Sequence, residues 1–385
     1  MKIASFVVFF SIVLAVYGLI NFYIFVRGWQ SIPQTPFQKV FYLAVFFVIS
    51  LSFIAGRILE RIIPSSVSNI IVWIGSFWVA AMLYFFLFIL LLDIARLVNH
   101  WLPFFPDFVK ADYAKAKATA AWVAIGLATI IIVMGYINAI HPKIRTLQLN
   151  IPKPAAGLKA LNIAMVSDIH LGTIIGRSRL DNLVKEINGL NPDIILLAGD
   201  IVDEDLGPVI RENIGEALKN LKAPLGVYAI TGNHEYIGGV EKACRYLSTH
   251  NVSVLRDSVL KIDGHFYLVG REDRSIGQFA GRKRKSLSEL ISGVDKNYPL
   301  ILLDHQPFKL QEAVFHGVDL QISGHTHHGQ LWPVSIAINI IYELGAGYMK
   351  RGETQFYVST GFGTWGPPVR IGNRPEIVNF RLTFQ

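Results

Sequence analysis

The chain has 385 residues, a formal net charge of +8 at pH 7, and a composition that is 52% hydrophobic. Its single cysteine excludes an intrachain disulfide. Residues 1–149 hold 11 Lys and Arg against 4 Asp and Glu, while the remainder holds 25 against 24, so the positive charge belongs to the first part and no nucleic-acid partner is indicated.

Four apolar stretches, at residues 5–26, 37–55, 70–92 and 119–140, predict membrane-spanning helices. Each is about long enough to cross a ~30 Å hydrocarbon core as a helix, and the first exceeds the apolar part of a cleavable signal peptide. The second carries Ser50, Ser52 and Gly56 near its end, so a buried or interfacial helix is the alternative there. Residues 1–142 are therefore predicted to be an all-α, four-span transmembrane region with the lipid bilayer as its partner.

Residues 143–159 are predicted to be a short linker between this region and a domain at 160–385. His141-Pro142 ends the fourth stretch, and the Pro-containing segment 151–154 precedes the next aliphatic run without a long Gly/Ser sequence. An even number of spans puts both termini on one side of the membrane. The basic loop residues favour neither side strongly, and we expect the cytoplasmic side for the domain.

Six short aliphatic runs predict β-strands in the domain, at 163–166, 194–198, 227–230, 266–269, 300–303 and 320–322. Helices are predicted between some of them, at 180–190, 209–221 and 240–250. This alternation indicates an α/β fold, in which ligands collect at the carboxyl ends of the strands.

Polar signatures stand where most of these strands end. They are Asp168-Ile-His170, Gly199-Asp200-Ile-Val-Asp203, Gly232-Asn233-His234-Glu235, His305-Gln-Pro307 and Gly324-His325-Thr326-His327. One Asp-x-His alone is more often a hydrogen-bonded core histidine. Five such clusters are expected to hydrogen-bond to one another or to bind cations, because burying polar groups without partners costs free energy.

In this series of signatures the chain resembles the calcineurin-like metallophosphoesterase family, over about residues 160–385. The resemblance implies a four-layer sandwich, with two stacked sheets flanked by helices. It also implies two divalent metal ions, one held by Asp168, His170, Asp200 and His327, and the other held by Asp200, Asn233, His305 and His325. Carboxylate, amide and imidazole ligands suit Mn, Fe or Zn, and the lack of a Cys ligand excludes a thiolate zinc site.

The same resemblance implies the chemistry. Two cations about 3.5 to 4 Å apart share a water, lower its pKa, and stabilise the attacking and leaving oxygens, so a bridging hydroxide is the nucleophile. His234 would protonate the leaving oxygen, with Asp203 orienting its ring. The alternative is that His234 only hydrogen-bonds the site.

Other residues narrow the substrate. Protein phosphatases of the family have an Arg where this chain has Glu204, so a phosphoprotein is not favoured. The segment 361–376 resembles the membrane-associated bacterial branch, which includes the diacylglucosamine pyrophosphatase type, and the four spans resemble transmembrane proteins with a metallophosphoesterase domain. His328 stands where that branch usually has Gly.

Arg370 and Arg374 are predicted to bind the substrate phosphate, because Arg grips phosphate with two hydrogen bonds. The alternative is that they brace a loop through Glu376. Trp365 and Phe362 could form an apolar lip, although packing under the loop is more common. The run Arg282-Lys283-Arg284-Lys285 is most simply a solvated loop, and contact with the membrane surface or an anionic substrate is the alternative.

The sequence thus predicts a membrane-embedded two-metal hydrolase that cleaves a phosphate ester, phosphodiester or pyrophosphate bond, on a lipid-linked substrate. A membrane-tethered nucleotide or general phosphodiesterase is the main alternative. A sensor built on a phosphoesterase scaffold is a third hypothesis. However, a site that no longer catalyses a reaction would be expected to have lost at least one metal ligand, and none is missing here.

Overall fold

The computed structural model describes residues 3–33 and 35–385. By proximity of Cα atoms the chain divides into two compact units. The first comprises Met1–Tyr136 with Gly366–Val369, and the second comprises Ile137–Trp365 with Arg370–Gln385.

Long apolar helices build the first unit. They are α1 (Ile3–Trp29), α2 (Pro36–Ile62), α3 (Ser66–Trp101), the short α4 (Asp107–Ala111) and α5 (Tyr113–Ile140). Four of the described helices, all except α4, are long and apolar enough to cross a membrane, as predicted. The second, whose predicted stretch ended in small polar residues, has 27 residues, and an 18-residue stretch of it has a mean hydropathy of 2.1, so it qualifies like the others.

Small residues let α2 and α3 approach closely. A Cβ atom on Gly56 would lie 2.9 Å from the backbone of Val72, and one on Gly75 would collide with the backbone of Phe53. Ser52 and Ser76 are buried in the same helices. Small side chains at helix contacts are the usual packing device in membranes, so these residues explain why α2 tolerates a polar end.

Two six-stranded sheets form the centre of the second unit. In chain order the strands are β1 (Lys143–Ile151), β2 (Ala160–Val166), β3 (Ile194–Leu197), β4 (Val227–Ile230), β5 (Ser253–Leu255), β6 (Ser258–Ile262), β7 (Phe266–Gly270), β8 (Leu300–Leu303), β9 (Leu320–Ser323), β10 (Gly347–Arg351), β11 (Thr354–Val358) and β12 (Glu376–Phe384). The first sheet has the order β1-β12-β2-β3-β4-β5, and the second has the order β10-β11-β9-β8-β7-β6.

Short helices connect the strands and flank the sheets. They are α6 (Arg177–Gly189), α7 (Leu206–Arg211), α8 (Asn233–Gly238), α9 (Val240–Ser248), α10 (Ile276–Phe279), α11 (Leu287–Leu290), α12 (Gln311–His316) and α13 (Val334–Ile341). Apolar side chains of both sheets, such as Ile163, Leu196, Ile301 and Phe380, share one buried cluster. The result is the predicted sandwich of two sheets flanked by helices, and all six predicted strands are present.

The structure corrects the predicted linker at 143–159. Residues 143–151 form β1, which pairs in parallel with the last strand, β12, over nine residues. Alternating apolar side chains at Leu147, Leu149 and Ile151 face inward along it. Because its partner lies more than 200 residues away in the chain, this pairing had no local signal, and the polar alternate residues made the segment look like a linker.

The predicted helix at 209–221 is also corrected. It is divided into α7 and a 3₁₀ helix, Ile214–Asn220. Asn213 separates them with a left-handed backbone, at φ 48°. Asn adopts this conformation more readily than most residues, so it ends the first helix there.

Candidate metal centre

Five loops bring the predicted ligands together. Strands β2, β3 and β4 run parallel in the first sheet, and β8 and β9 run parallel in the second. The connections after these strands carry Asp168 and His170, Asp200 and Asp203, Asn233 and His234 at the start of α8, His305, and His325 and His327. Parallel strands end at the same edge of a sheet, so polar residues that are far apart in sequence meet there.

Asp168, His170 and His327 form the first group of potential ligands. Nε2 of His327 is 3.0 Å from Nε2 of His170 and 3.6 Å from Oδ1 of Asp168. Oδ2 of Asp168 is buried without a hydrogen-bond partner among the residues that the structure describes. A buried carboxylate oxygen left unsatisfied beside imidazole nitrogens fits a divalent cation, since burying it without any partner would be costly.

Asp200, His305 and His325 form the second group. Nε2 of His305 lies 3.1 Å from Oδ2 of Asp200, and Nδ1 of His325 lies 2.7 Å from Oδ1 of Asn233. Nδ1 of His305 is 2.7 Å from the carbonyl oxygen of Ala198, which leaves Nε2 as the nitrogen for a ligand. The second group therefore also fits a divalent cation.

Asp200 lies between the two groups. Its Oδ2 is 3.9 Å from Nε2 of His170, in the first group, and 3.1 Å from Nε2 of His305, in the second. Burial opposes the charge of Asp200, but the positive charges of His305 and His234 outweigh burial and hold the pKa of Asp200 well below its usual range. An ionised carboxylate in this place is what the predicted bridging ligand requires.

His234 lies beside both groups. Its Nδ1 is 3.0 Å from Oδ1 of Asp203, and its ring meets the ring of His170 edge-on at 4.5 Å. Burial lowers the pKa of His234, but the charges of Asp200 and Asp203 outweigh burial and raise it to about 9. Cations bound nearby would lower this pKa again. His170, Asp203 and His234 are themselves close enough to hold an ion. If Nδ1 of His234 instead stays beside Asp203, the other nitrogen of its ring is available for proton transfer.

The ligand loops have unusual backbone conformations. Left-handed φ angles occur at Asp168 (52°), His170 (53°), Asp200 (52°), His325 (73°) and His327 (45°). Such conformations cost roughly 1–3 kcal/mol each in a non-glycine residue, so the surrounding structure must enforce them. Backbone N–H groups contribute, since His325 donates to Oδ1 of Asp168 and His234 donates to Oδ1 of Asp200, both at 2.9 Å.

Glu235 is a site residue to which the sequence assigned no role. Its buried carboxylate accepts hydrogen bonds from four backbone N–H groups, those of Asp200 (3.1 Å), Ile201 (2.7 Å), Val202 (2.9 Å) and Gly232 (2.7 Å). It therefore fastens the loop of Asp200 to the loop of Asn233. The only signal in the sequence was its place at the end of the third signature.

Two signature glycines are required by close approach. Gly199 has φ +90°, and a Cβ atom there would lie 2.5 Å from Nδ1 of His305. A Cβ atom on Gly232 would collide with the carboxylate of Asp200. Any larger residue at these positions would displace a ligand.

Arg370 was predicted to bind the phosphate, and the structure corrects this prediction. Its side chain is 0% exposed and donates hydrogen bonds to the carbonyl oxygens of Thr360, Gly361 and Gly363. Its Nη2 also lies 3.1 Å from Nδ1 of His327. Arg370 thus supports His327 and the glycine-containing loop, and it has no exposed surface for a substrate. The sequence could not predict this role, because the partners of Arg370 are backbone carbonyl groups, which every residue type has.

Burial and the charge of Arg370 hold the pKa of His327 well below its usual value, so its imidazole is neutral. A guanidinium can only donate, so Nδ1 of His327 accepts from Arg370 in this arrangement. A neutral His327 that binds a cation through Nε2 carries its proton on Nδ1. Arg370 would then keep only its carbonyl partners.

The predictions for Glu376, Arg374 and His328 have different outcomes. Glu376 is braced by Arg145, with Nε of Arg145 2.6 Å from Oε2 of Glu376, and not by either predicted arginine. Arg374 is exposed, and its role in binding phosphate stays a prediction. His328 is outside the groups of potential ligands found among the described residues.

Comparison with known proteins matches residues 161–329 to the family described as calcineurin-like phosphoesterase. A transmembrane protein with metallophosphoesterase domain from Bos taurus is 32% identical over 70% of this chain and 64% of its own length. An uncharacterized metallophosphoesterase of Campylobacter jejuni is 28% identical over 98% of both chains. Another, from Aquifex aeolicus, is 32% identical over 57% of this chain and 83% of its own length. The present chain thus spans less than two thirds of the bovine relative.

This chain belongs to the calcineurin-like metallophosphoesterase family. Its four long apolar helices and its transmembrane relative make it a membrane protein of that family.

Proposed function

We propose that this protein hydrolyses a phosphate ester, phosphodiester or pyrophosphate bond on a lipid-linked substrate, with two divalent metal ions. The observation that carries the hydrolysis is the gathering of the predicted ligands into two groups that adjoin at Asp200. Such density of carboxylate and imidazole groups in a buried place needs cations to be stable.

The predicted ligand sets divide naturally between the two groups. Asp168, His170, Asp200 and His327 would hold one ion, and Asp200, Asn233, His305 and His325 would hold the other. Ions of Mn, Fe or Zn suit this donor set. When bound, they lower the pKa of water and stabilise the negative charge that develops on phosphoryl oxygens.

The protein's own groups supply the proton and the orientation. His234 would give a proton to the leaving oxygen, because its ring is fixed by Asp203 through Nδ1 and is not needed as a ligand. Asp203 also lies 3.5 Å from Nδ1 of His170, so one carboxylate orients both a ligand and the proton donor.

An exposed apolar surface beside the metal centre supports a lipid-linked substrate. Helix α13 follows soon after the loop of His327 and has no buried residue. Ile336 is 56% exposed, Ile340 is 80% exposed, and the preceding Trp332 is 53% exposed. Exposed apolar surface of this kind marks contact with a membrane or a protein, and we infer that α13 enters the head-group region of the bilayer.

Trp365 extends the apolar surface toward the proton donor. It is 53% exposed, and its ring centroid lies 6.0 Å from that of His234. Phe362, which could have shared this lip, is instead buried. Trp365 would therefore contact an acyl chain or other apolar group next to the scissile bond.

We also propose that the catalytic unit lies on the cytoplasmic side. Arg57 and Arg61 at the end of α2, with Lys143 and Arg145 after α5, would then be the basic residues on the cytoplasmic side. The opposite loops carry Arg27, Lys39, Arg96, Lys110, Lys115 and Lys117, so the charges do not decide the side and an experiment must.

The test is turnover by the purified, Mn-loaded full-length protein in phosphatidylcholine vesicles, with phospholipids, lipid pyrophosphates, nucleotides and bis(4-nitrophenyl) phosphate as substrates. We expect turnover of the small diester and more efficient turnover of a lipid phosphate. Asp200→Asn should lose most bound metal and several orders of magnitude in rate, because both ions lose a ligand. Asp181→Asn, the same change at a half-exposed position on α6, is the matched control.

Each rival has its own outcome. Turnover of nucleotides without turnover of any lipid would favour the tethered nucleotide phosphodiesterase. A protein that binds both metals and hydrolyses nothing would favour the sensor.

A further inference from the structure

A basic cavity of about 570 Å³ opens on the second unit, and none of the site residues assigned above lines it. Its lining includes six basic side chains, those of Arg271, Arg274, Lys283, Arg284, Lys285 and Lys309. Two carboxylates, Glu289 and Glu312, also line it, and Asp304 pairs with two of the arginines. Six positive charges against three negative ones leave an excess that favours an anion.

Part of this cavity is held rigidly. Nη1 of Arg271 is 3.0 Å from Oδ2 of Asp304, and Nη1 of Arg284 is 2.8 Å from Oδ1. The side chain of Arg271 is only 5% exposed. A loop that was merely solvated would not place Arg284, at 16% side-chain exposure, on a carboxylate that it shares with the buried Arg271.

Other cations of the cavity have no such partner. Among the residues that the structure describes, no carboxylate forms an ion pair with Arg274, Lys283 or Lys285. All three are exposed at the cavity, and their mutual repulsion is relieved when an anion binds. The fixed arginines and the free cations together form a preorganised anion site.

The cavity adjoins the metal centre through the chain neighbours of His305. Asp304, which holds the two arginines, immediately precedes His305. Gln306 follows it and donates from Nε2 to both carboxylate oxygens of Asp273, at 2.9 and 3.0 Å. Arg274 is next in the chain to Asp273. Since consecutive Cα atoms are about 3.8 Å apart, the Arg284 guanidinium lies within about 10 Å of the His305 backbone.

A chain of aromatic contacts connects the same places. The guanidinium of Arg274 lies over the ring of Phe308 at 4.5 Å. Phe308 packs on Tyr342 at 4.7 Å, and Tyr342 is 6.2 Å from the ring of His325. A substrate at the metal centre could therefore extend over Tyr342 and Phe308 into the cavity.

We propose that this cavity binds a second anionic group of the substrate, a phosphate or diphosphate separate from the bond that is cleaved. This inference rests on the proposed function. It gives Lys283 and Lys285, together with Arg274, the contact with an anionic substrate that the sequence left as an alternative for the run 282–285. The second group can come from a lipid head group or from a nucleotide, since both present the same phosphate oxygens.

The test compares matched substrates that differ by one phosphate. Thymidine 5′-(4-nitrophenyl phosphate) and its 3′-phosphorylated form are the soluble pair, and phosphatidylglycerol and phosphatidylglycerol phosphate in phosphatidylcholine vesicles are the lipid pair. The variant is Lys283→Glu with Lys285→Glu in the Mn-loaded full-length protein. The control, Lys185→Glu with Lys222→Glu, makes the same charge change at exposed positions elsewhere on the second unit.

We expect wild type to prefer the extra phosphate in at least one pair. The variant should lose at least tenfold in kcat/KM for that substrate and less than twofold for its partner, while the control changes neither by more than twofold. A difference confined to the lipid pair identifies a head group, and one confined to the soluble pair identifies a nucleotide. Equal losses within each pair, or no loss in either, would overturn the inference.

A binding measurement separates this inference from the proposed function. If wild type cleaves none of the four substrates, calorimetry with thymidine 3′,5′-bisphosphate decides about the cavity, while the proposed function is judged on its own wider set of substrates. Binding that weakens at least tenfold in the variant but not in the control supports the cavity as an anion site. Equal binding by all three proteins overturns it.

Discussion

At the residue scale, three of the predicted ligands have a supporting neighbour that their own signature does not reveal. The carbonyl oxygen of Ala198 fixes the ring of His305, and the carboxylate of Glu235 fixes the backbone of Asp200. Arg370 contacts the ring of His327 from behind. These neighbours matter as much as the ligands, because left-handed loops return to ordinary conformations when their supports are removed.

His234→Ala should separate proton transfer from metal binding. We expect metal content near normal and a loss of about 10²- to 10⁴-fold in rate with an alkoxide leaving group, because no other group donates the proton. The loss should shrink with a nitrophenolate leaving group, which needs little protonation. His328→Asn is the control, since Asn tolerates the left-handed backbone of that residue. Loss of metal, or equal loss with both leaving groups, would assign His234 a structural role.

Arg370→Lys should act through stability. A lysine keeps the charge but cannot reach three carbonyl oxygens, and the lost charged hydrogen bonds should cost roughly 2–4 kcal/mol in the free energy of unfolding. We expect a lower Tm, reduced metal content and equal losses of kcat for soluble and vesicle substrates. A raised KM with normal Tm and metal content would instead support the prediction that Arg370 contacts the substrate phosphate. Arg374→Ala, at the exposed position, is the variant in which only KM should rise.

At the element scale, β1 and α13 show how local sequence can mislead in opposite directions. β1 looks polar and linker-like but completes the first sheet beside β12. α13 looks like a core helix by composition, yet none of its residues is buried. In both cases the environment of the element depends on a partner that its own sequence does not show. For β1 the partner is a distant strand, and for α13, on our proposal, it is the bilayer.

Ile336→Ser with Ile340→Ser should impair lipid turnover selectively. Both side chains are exposed, so the substitutions should leave Tm unchanged, whereas insertion into the head-group region would lose up to about 3 kcal/mol of apolar transfer energy. We expect kcat/KM for vesicle lipid to fall at least tenfold while turnover of bis(4-nitrophenyl) phosphate is retained. Phe315→Ser, at a residue that is 81% exposed on α12, is the control. Unchanged lipid turnover would remove α13 from the proposal.

The role of β1 can be tested by truncation. A protein made of residues 137–385 should stay monodisperse and bind metal, whereas one made of residues 159–385 should aggregate or melt at lower temperature. The reason is that loss of β1 makes the nine-residue β12 an edge strand, paired with β2 on one side and open on the other. Size-exclusion chromatography with light scattering and thermal melting are the measurements. Equal behaviour of the two proteins would show that β1 is dispensable.

At the scale of the whole molecule, a membrane unit and a metal-dependent unit are joined without a flexible linker in the sequence. The helix α5 ends at Ile140, and β1 begins at Lys143. Only residues 141 and 142 stand between α5 and β1. On our proposal of a lipid-linked substrate, the sidedness of the catalytic unit decides which leaflet supplies it.

Cysteine labelling should report this sidedness. Cys244 is the single cysteine of the sequence and is buried, so in a Cys244→Ser background an introduced thiol gives an unambiguous signal. We expect Lys185→Cys to be protected from an impermeant maleimide in intact cells and labelled after lysis. Lys110→Cys, between the third and fourth spans, should be labelled in intact cells. Labelling of position 185 in intact cells would place the catalytic unit outside.

The sequence by itself determined the apolar spans, the six central strands and the identity of the candidate ligands. These features depend on residue type and short-range period, since hydrocarbon thickness sets the length of a span and buried strands must be aliphatic. Only the tertiary structure decided that β1 pairs with β12, that Arg370 is buried against Thr360 and His327, and that Arg274, Lys283 and Lys285 line one cavity. Each of these features depends on partners that the two sheets bring together from distant parts of the chain. A backbone carbonyl group that accepts a hydrogen bond is present at every residue, so the sequence cannot indicate which one is used.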